Sequence, residues 1–210
     1  MQYWMETDYT DVTEVPGGRS TREQLSMLYT RYHVASQLSV DKDVLEVACG
    51  AGHGLGYLAS TAHRVVGGDC TEGFLSSAHR HYRGRIPLLR LDAHLLPFRD
   101  NSFNTVILFE AIYYLSEPER FLGECRRVLH PGGVVLICCA NKDWPGFSPS
   151  PFSVKYFSVP ELHSLLSGDN FQAELFGAFP ATTRSILGKF VSLIREMAVS
   201  FGVMPKTMRG

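Results

Sequence analysis

Val44-Leu45-Glu46-Val47-Ala48-Cys49-Gly50-Ala51-Gly52-His53-Gly54 is the stretch whose reading decides the fold. It opens as a short apolar strand, passes into a loop with glycine at alternate positions, and continues into a helix. Glycines at such a turn permit positive φ and let a ligand approach the backbone closely. A dinucleotide fingerprint, G-x-G-x-x-G, is the obvious competitor. Counted from Gly50 it requires glycine where Leu55 stands, and counted from Gly52 it requires glycine where Tyr57 stands, so both frames fail.

Outward from this loop the chain alternates two kinds of segment. Val44–Val47, Arg64–Gly67, Ile86–Leu91, Thr105–Phe109 and Val134–Cys139 are short, apolar, rich in branched residues and bounded by Gly, Pro, Asp or Asn, as buried parallel strands are. Between them Gly54–Ala62, Thr71–Tyr82 and Glu117–Leu129 have helical spacing. Pro118 suits a first helical turn, and Pro131-Gly132-Gly133 ends that helix ahead of the next strand. The alternation predicts an α/β fold with a doubly wound, mostly parallel sheet and helices on both faces. Upstream, Ser20-Thr21-x-Glu23 offers a helix cap, and Leu25, Leu28, Tyr32, Ala35 and Leu38 form an apolar stripe. Downstream, Asn141–Tyr156 reads as a structured loop, Pro160–Leu166 as a helix and Phe171–Phe179 as a strand. A last helix carries Ile186, Leu187, Phe190, Val191, Ile194, Met197 and Ala198 on one face. With no convincing strand after it, the sheet is expected to end there.

The composition narrows the functional classes. At 210 residues the chain forms one domain that buries ~70% of its unfolded surface without a staple. Hydrophobic residues make up 45% and charged residues 20%, which places it among globular chains rather than disordered ones. Lys+Arg 20 against Asp+Glu 21, a net charge of −1, argues against a nucleic-acid or membrane-surface footprint. The cysteines, Cys49, Cys70, Cys125, Cys138 and Cys139, lack a C-x-x-C spacing and read as free thiols of a reducing compartment. Trp4, Glu6 and Asp8 interrupt any signal-peptide core, and Val134–Ala140 is too short to cross a bilayer, so the expectation is a cytoplasmic protein. No metal ligand set is visible: His79 and His81 are two apart and diverge on a helix.

Four motifs in order resemble the class I S-adenosylmethionine-dependent methyltransferases. They are Glu46–Gly54, with Ala48 where the family more often has glycine; Val65-Val66-Gly67-Gly68-Asp69; Leu91-Asp92-Ala93 with Leu96-Pro97-Phe98; and Arg127-Val128-Leu129-His130-Pro131-Gly132-Gly133. The resemblance implies a Rossmann-like fold that binds S-adenosylmethionine and transfers its methyl group to a small-molecule acceptor. It puts Asp69, about twenty residues after Gly50, on the ribose hydroxyls, where a carboxylate can accept twice. Asp92 would face the adenine amino group and the Ala93 amide a ring nitrogen. Glu46 and the amides of Ala48, Gly50 and Gly52 would face the methionine part, and Cys70, Phe74 and Phe109 the rest of the cofactor. By organisation, residues 1–40 form a helical cover in which Tyr29, Arg31 and Tyr32 close the cofactor side. Residues 41–140 form the cofactor core, and residues 141–210 the acceptor-side loop, strand and helix.

The same resemblance places the acceptor beside Phe109-Glu110-Ala111-Ile112-Tyr113-Tyr114 at the end of the fourth strand. Many family members carry histidines there and this chain does not, which leaves Glu110 and Tyr114 as the candidate catalytic residues. Glu110 has a rival reading, as a brace for loop amides. Trp144, Phe147, Phe152 and Tyr156 are read as an aromatic wall, or else as packing of their loop, and Cys138-Cys139 as ordinary core. The segment Glu110–Leu115 together with Met204-Pro205-Lys206-Thr207-Met208 looks like methyltransferases of sugar and polysaccharide biosynthesis. Two other classes compete: a non-catalytic S-adenosylmethionine-binding regulator or assembly protein, and a nicotinamide oxidoreductase. The apolar stripe of the last helix leaves room for a homodimer.

Overall fold

A computed structural model describes Tyr9 and residues 21–144, 147–168 and 171–178. Helix α1 (Arg22–Leu38) starts at Thr21, whose hydroxyl accepts from the Gln24 amide while the Gln24 side chain returns to Thr21, so Gln24 rather than Glu23 closes the capping box. Then follow β1 (Asp43–Val47), α2 (Leu55–Leu58), β2 (Arg64–Asp69), α3 (Glu72–Tyr82), β3 (Leu88–Arg90), β4 (Phe103–Phe109), α4 (Pro118–Val128), β5 (Leu129–Cys138) and α5 (Val159–Gly168). The strands form one parallel sheet in the order β3-β2-β1-β4-β5, the doubly wound arrangement that the alternation predicts.

Strand alternation sorts the core. Leu45, Val47, Val106 and Leu108 pack on one face with Phe121, Leu122, Cys125 and Val128 of α4. Val44 and Ile107 pack on the other with Tyr32 and Ala35 of α1, Leu55 and Leu58 of α2, and Leu75, Ala78 and Tyr82 of α3. Glu46 shares the parity of Val44, so β1 turns a carboxylate toward α1.

The structure corrects several local expectations. Helix α2 is a single turn over Leu55–Leu58, because the glycine loop uses up the residues before it. Leu25 and Leu38 are exposed, and it is Tyr32, Ala35 and Ser36 that α1 buries. Pairing of β5 begins at Leu129, opposite Phe103, and resumes at Val134, opposite Thr105. The Pro131-Gly132-Gly133 turn is thus a bulge inside the ladder, with Gly132 at φ 78. Residues 171–178 join no ladder and Phe176 is 83% exposed, so the strand expected at Phe171–Phe179 does not form over its described part. The last helix and the dimer surface read from it lie outside the described residues. No helix among the described residues is long and apolar enough to cross a membrane.

Two glycines give opposite tests of this packing. At Gly54 an added Cβ would overlap the Tyr32 ring, whereas at Gly123, inside α4, it would meet nothing within 4 Å. Gly54→Ala is expected to cost ~1–3 kcal/mol by forcing Tyr32 off its rotamer. Gly123→Ala is expected to gain up to ~1 kcal/mol of helix propensity. Urea unfolding of the two variants checks the opposite signs.

Candidate active site

Parallel strands end at a common edge, and the sheet order reverses direction between β1 and β4, where α/β sheets bind ligands. Two of the five non-glycine residues with positive φ among the described residues lie there. Ala48, after β1, has φ 56 and Glu110, after β4, has φ 52, a left-handed conformation that costs ~1–2 kcal/mol for a residue with a Cβ. Gly50 at φ 55 and Gly52 at φ 79 adopt it freely. A cavity of about 1470 Å³ opens over this edge and continues between α1 and β5.

Every residue assigned to contact the cofactor lines this cavity except Gly52, and of the α1 residues read as closing it Arg31 and Tyr32 line it while Tyr29 is exposed and stacks on His33. Gly52 lies behind the loop: its carbonyl accepts from the Tyr82 hydroxyl, which in turn accepts from the Gly56 amide at 2.9 Å. Asp69, at the end of β2, accepts from the Gly50 amide at 2.8 Å through Oδ2 and from the Thr71 amide at 2.8 Å through Oδ1. The acid thus ties the loop after β1 to the start of α3, where the Thr71 hydroxyl and the Cys70 amide also favour its ionised form. Burial raises its carboxyl above the usual range, against the amide hydrogen bonds that favour the ionised form. Asp92 follows β3. Its Oδ1 accepts from both the backbone and the ring nitrogen Nδ1 of His94, each at 2.8 Å.

Glu46 is the most confined acid. It is 2% exposed, and its Oε1 accepts from the Tyr32 hydroxyl. Its Oε2 and the Nε of Arg31 are buried without a hydrogen-bond partner among the described residues. Burial pushes the Glu46 carboxyl up to about 7 despite the Tyr32 hydrogen bond and the Arg31 charge.

After β4, Glu110 Oε1 accepts from Arg31 Nη1 at 2.9 Å and Oε2 accepts from the Tyr113 hydroxyl at 3.3 Å. Its side chain keeps 37% exposure, all of it compatible with a cavity-lining position, and burial still raises its carboxyl against the Arg31 charge. The sequence reading of a brace for loop amides is not what forms: Glu110 side-chain oxygens meet side chains from α1 and from the turn after β4. Tyr114 lines the cavity, but its hydroxyl donates to Ser150 Oγ at 2.8 Å, and burial pushes it up to about 12. It holds down the loop after β5 rather than offering a free hydroxyl. Of the loop aromatics, Trp144 lines the cavity, while Tyr156 stacks on Tyr113 at 4.2 Å and Phe147 meets Tyr156 at 4.6 Å. Phe152 packs against Tyr9. Cys138 and Cys139 are half-buried cavity residues rather than ordinary core, and the Cys138 thiol faces Glu110 Oε1 at 3.7 Å. Sequence reasoning missed His94. Its signal was the D-A-H order, a short polar turn directly after an acid at a strand end.

These elements match known proteins. The methyltransferase domain family matches residues 45–137, from β1 to the end of β5. A probable S-adenosylmethionine-dependent methyltransferase of Mycolicibacterium smegmatis is 34% identical over 139 residues, covering 63% of this chain and 53% of the relative. A phthiotriol/phenolphthiotriol dimycocerosates methyltransferase of Mycobacterium ulcerans is 38% identical over 130 residues, covering 60% of this chain and 47% of the relative. The chain thus spans about half the length of these curated relatives. Among solved structures, a SAM-dependent methyltransferase from Aquifex aeolicus superposes with a TM-score of 0.61 at 24% identity over 71% of this chain and 82% of that one, a likeness of fold.

The Glu46 geometry sets a pH test. In the folded protein without ligand this carboxyl holds its proton up to about 7, whereas the unfolded chain releases it near 4.5. Stability assigned to the protonated acid is therefore full below pH 4.5 and is lost as pH rises to about 7. At ~1.4 kcal/mol per tenfold in proton affinity, Glu46→Gln should stabilise the ligand-free protein by roughly 3 kcal/mol at pH 8 and by little at pH 4.5. Denaturant unfolding at the two pH values checks it, and an equal effect at both would remove Glu46 from this role.

Proposed function

We propose that this chain, whose residues 45–137 match the methyltransferase domain family, transfers the methyl group of S-adenosylmethionine to a hydroxyl or amine of a small-molecule acceptor without a metal. The observation that carries the reading is the pair of buried unpartnered atoms, Glu46 Oε2 and Arg31 Nε, on one cavity. The methionine end of the cofactor has an ammonium for the first and a carboxylate for the second, so the residues present fit the group. Asp69 takes the ribose hydroxyls at the end of β2, and Asp92 takes the adenine amino group with Oδ2. Ala48 and Gly50 present backbone to the methionine part, Ala93 an amide to the ring, and Cys70, Phe74 and Phe109 apolar surface. Residues 41–140 are the cofactor core in this reading.

Bound there, S-adenosylmethionine supplies a methyl group already activated on a sulfonium. In-line placement then provides much of the rate, and a base matters where the acceptor is still protonated at attack. Glu110 stands at the end of β4, held by Arg31 and Tyr113, and its raised carboxyl brings it closer to the basicity such a step uses. Tyr114 bounds the acceptor space and anchors its loop through Ser150. The similarity to a relative named for phthiotriol and phenolphthiotriol dimycocerosates favours a hydroxyl acceptor. The sugar-precursor reading draws on Trp144 alone among the loop aromatics, since Phe147 and Tyr156 pack inward.

Incubation with methyl-labelled cofactor and a panel of hydroxyl and amine acceptors tests the activity. Tight cofactor binding with no transfer to any class would favour a non-catalytic binding protein. Asp69→Ala should weaken cofactor binding by about tenfold or more, since hydrogen bonds to a charged group are worth ~1.5–3 kcal/mol each. Calorimetry at wild-type affinity would take Asp69 out of the site. Glu110→Gln preserves an acceptor for Arg31 and a partner for Tyr113, so it removes charge with little change of shape. Cofactor affinity should stay near wild type while single-turnover methyl transfer falls by ~10²-fold or more. In the wild type the rate should decline as pH falls through the raised Glu110 range, and this limb should vanish in Glu110→Gln.

A further inference from the structure

His94 has no role in anything derived above, yet it lines the cavity between the adenine-side acid and the start of α4. Its side chain is 10% exposed. Nδ1 stands 2.8 Å from Asp92 Oδ1, and Nε2 lies 3.3 Å from the Glu117 backbone nitrogen, whose N–H it accepts. A ring nitrogen that accepts carries no proton, so the other one does: the contacts select the neutral Nδ1–H tautomer. Asp92 Oδ1 then receives two donors, the His94 amide and the His94 ring. Oδ2 makes neither of these bonds. A lone aspartate rotates about two side-chain torsions, whereas this one is held by two donors on a single oxygen.

We propose that His94 is a positioning residue that locks Asp92 with one oxygen turned to the cavity, and so sets the preference of the site for a purine bearing an exocyclic amino group. The inference rests on the reading of Asp92 as the adenine acid. The effect arises because Oδ2 is an acceptor held at fixed orientation. An amino group donates to it, and a purine without one leaves it unpaired. With the ring bond removed, Oδ1 keeps only the His94 backbone amide, so Oδ2 is held less firmly and discriminates less between the two ligands. The ring also joins the loop after β3 to the segment that leads from Glu110 into α4, so the adenine and acceptor sides share one rigid contact.

Two conservative variants separate the bonds. The side-chain nitrogen of His94→Asn stands where Nδ1 does and keeps the bond to Asp92, while the oxygen of His94→Gln reaches where Nε2 does and keeps the bond to Glu117. Calorimetry uses S-adenosylhomocysteine and its analogue lacking the exocyclic amino group. His94→Gln should lose about tenfold in affinity for S-adenosylhomocysteine and almost none for the analogue, while His94→Asn should keep the wild-type ratio. Wild-type ratios in both variants would overturn the proposal, and so would equal losses for both ligands in His94→Gln, which would make His94 a structural brace. A wild-type protein that binds both ligands equally would instead remove Asp92 from the adenine, and the proposal with it. Imidazole nitrogen spectra of the wild-type chain give a readout that needs no variant to fold. The Nδ1–H tautomer supports the assignment, and the Nε2–H tautomer overturns it.

Discussion

The Asp69 carboxylate between the Gly50 and Thr71 amides is the contact on which the site depends. It is buried, so its charge is stable only while both donors stay in place. Those donors belong to the loop after β1 and to the first residue before α3. One side chain therefore adds to the Cys49 amide's bond to the Gly68 carbonyl in fixing the relative position of the two strand ends. Tyr82 braces the same loop from behind through Gly52 and Gly56. Glycine is needed at Gly52 twice over, for its φ of 79 and because a Cβ would lie 2.9 Å from the Tyr82 ring.

The charge balance of the cavity follows from this arrangement. Glu46, Asp69, Asp92 and Glu110 line it, with Arg31 placed between Glu46 and Glu110. Burial raises Glu46, Asp69 and Glu110 alike, so each is poised to be stabilised by a cationic ligand. The cofactor of the family carries a sulfonium and an ammonium against one carboxylate, which is the complementary sign. Arg31 spans the cavity, since one guanidinium faces Glu110 through Nη1 and leaves a buried Nε without a hydrogen-bond partner among the described residues.

The Leu96-Pro97-Phe98 turn and the Arg127–Gly133 motif do not line the cavity. Arg127 donates to the Leu96 and Phe98 carbonyls and to Glu124 and Asp100, so it clamps the Leu96-Pro97-Phe98 turn onto α4. Glu124 accepts the Leu96 amide at 2.8 Å. The turn carries Asp92 and His94 just upstream, and the clamp holds that segment at the cavity edge. The His130–Gly133 motif forms the bulge that lets β5 re-enter the ladder.

By itself the sequence determined the order of strands and helices, and with it the edge at which the acids gather. That much was legible because branched apolar runs, glycine turns and helix caps are local signals, and because parallel strands all end on one side. Glu46, Asp69, Asp92 and Glu110 fall at strand ends, so their convergence follows from topology alone. Which atoms each acid meets was decided by tertiary structure. Arg31 reaches Glu110 across 79 residues and His94 reaches Glu117 across 23, and no local pattern encodes either pairing. The same limit explains the misreadings. Residues 171–178 have strand-like composition, but a strand exists only where a neighbour offers its hydrogen bonds, and none among the described residues does. Tyr114 and the loop aromatics have the residue types of a binding wall, yet the packing of Ser150, Tyr113 and Tyr156 assigns most of them to holding the loop. Local chemistry names the candidates, and long-range packing, which fixes burial and partner, gives each its task.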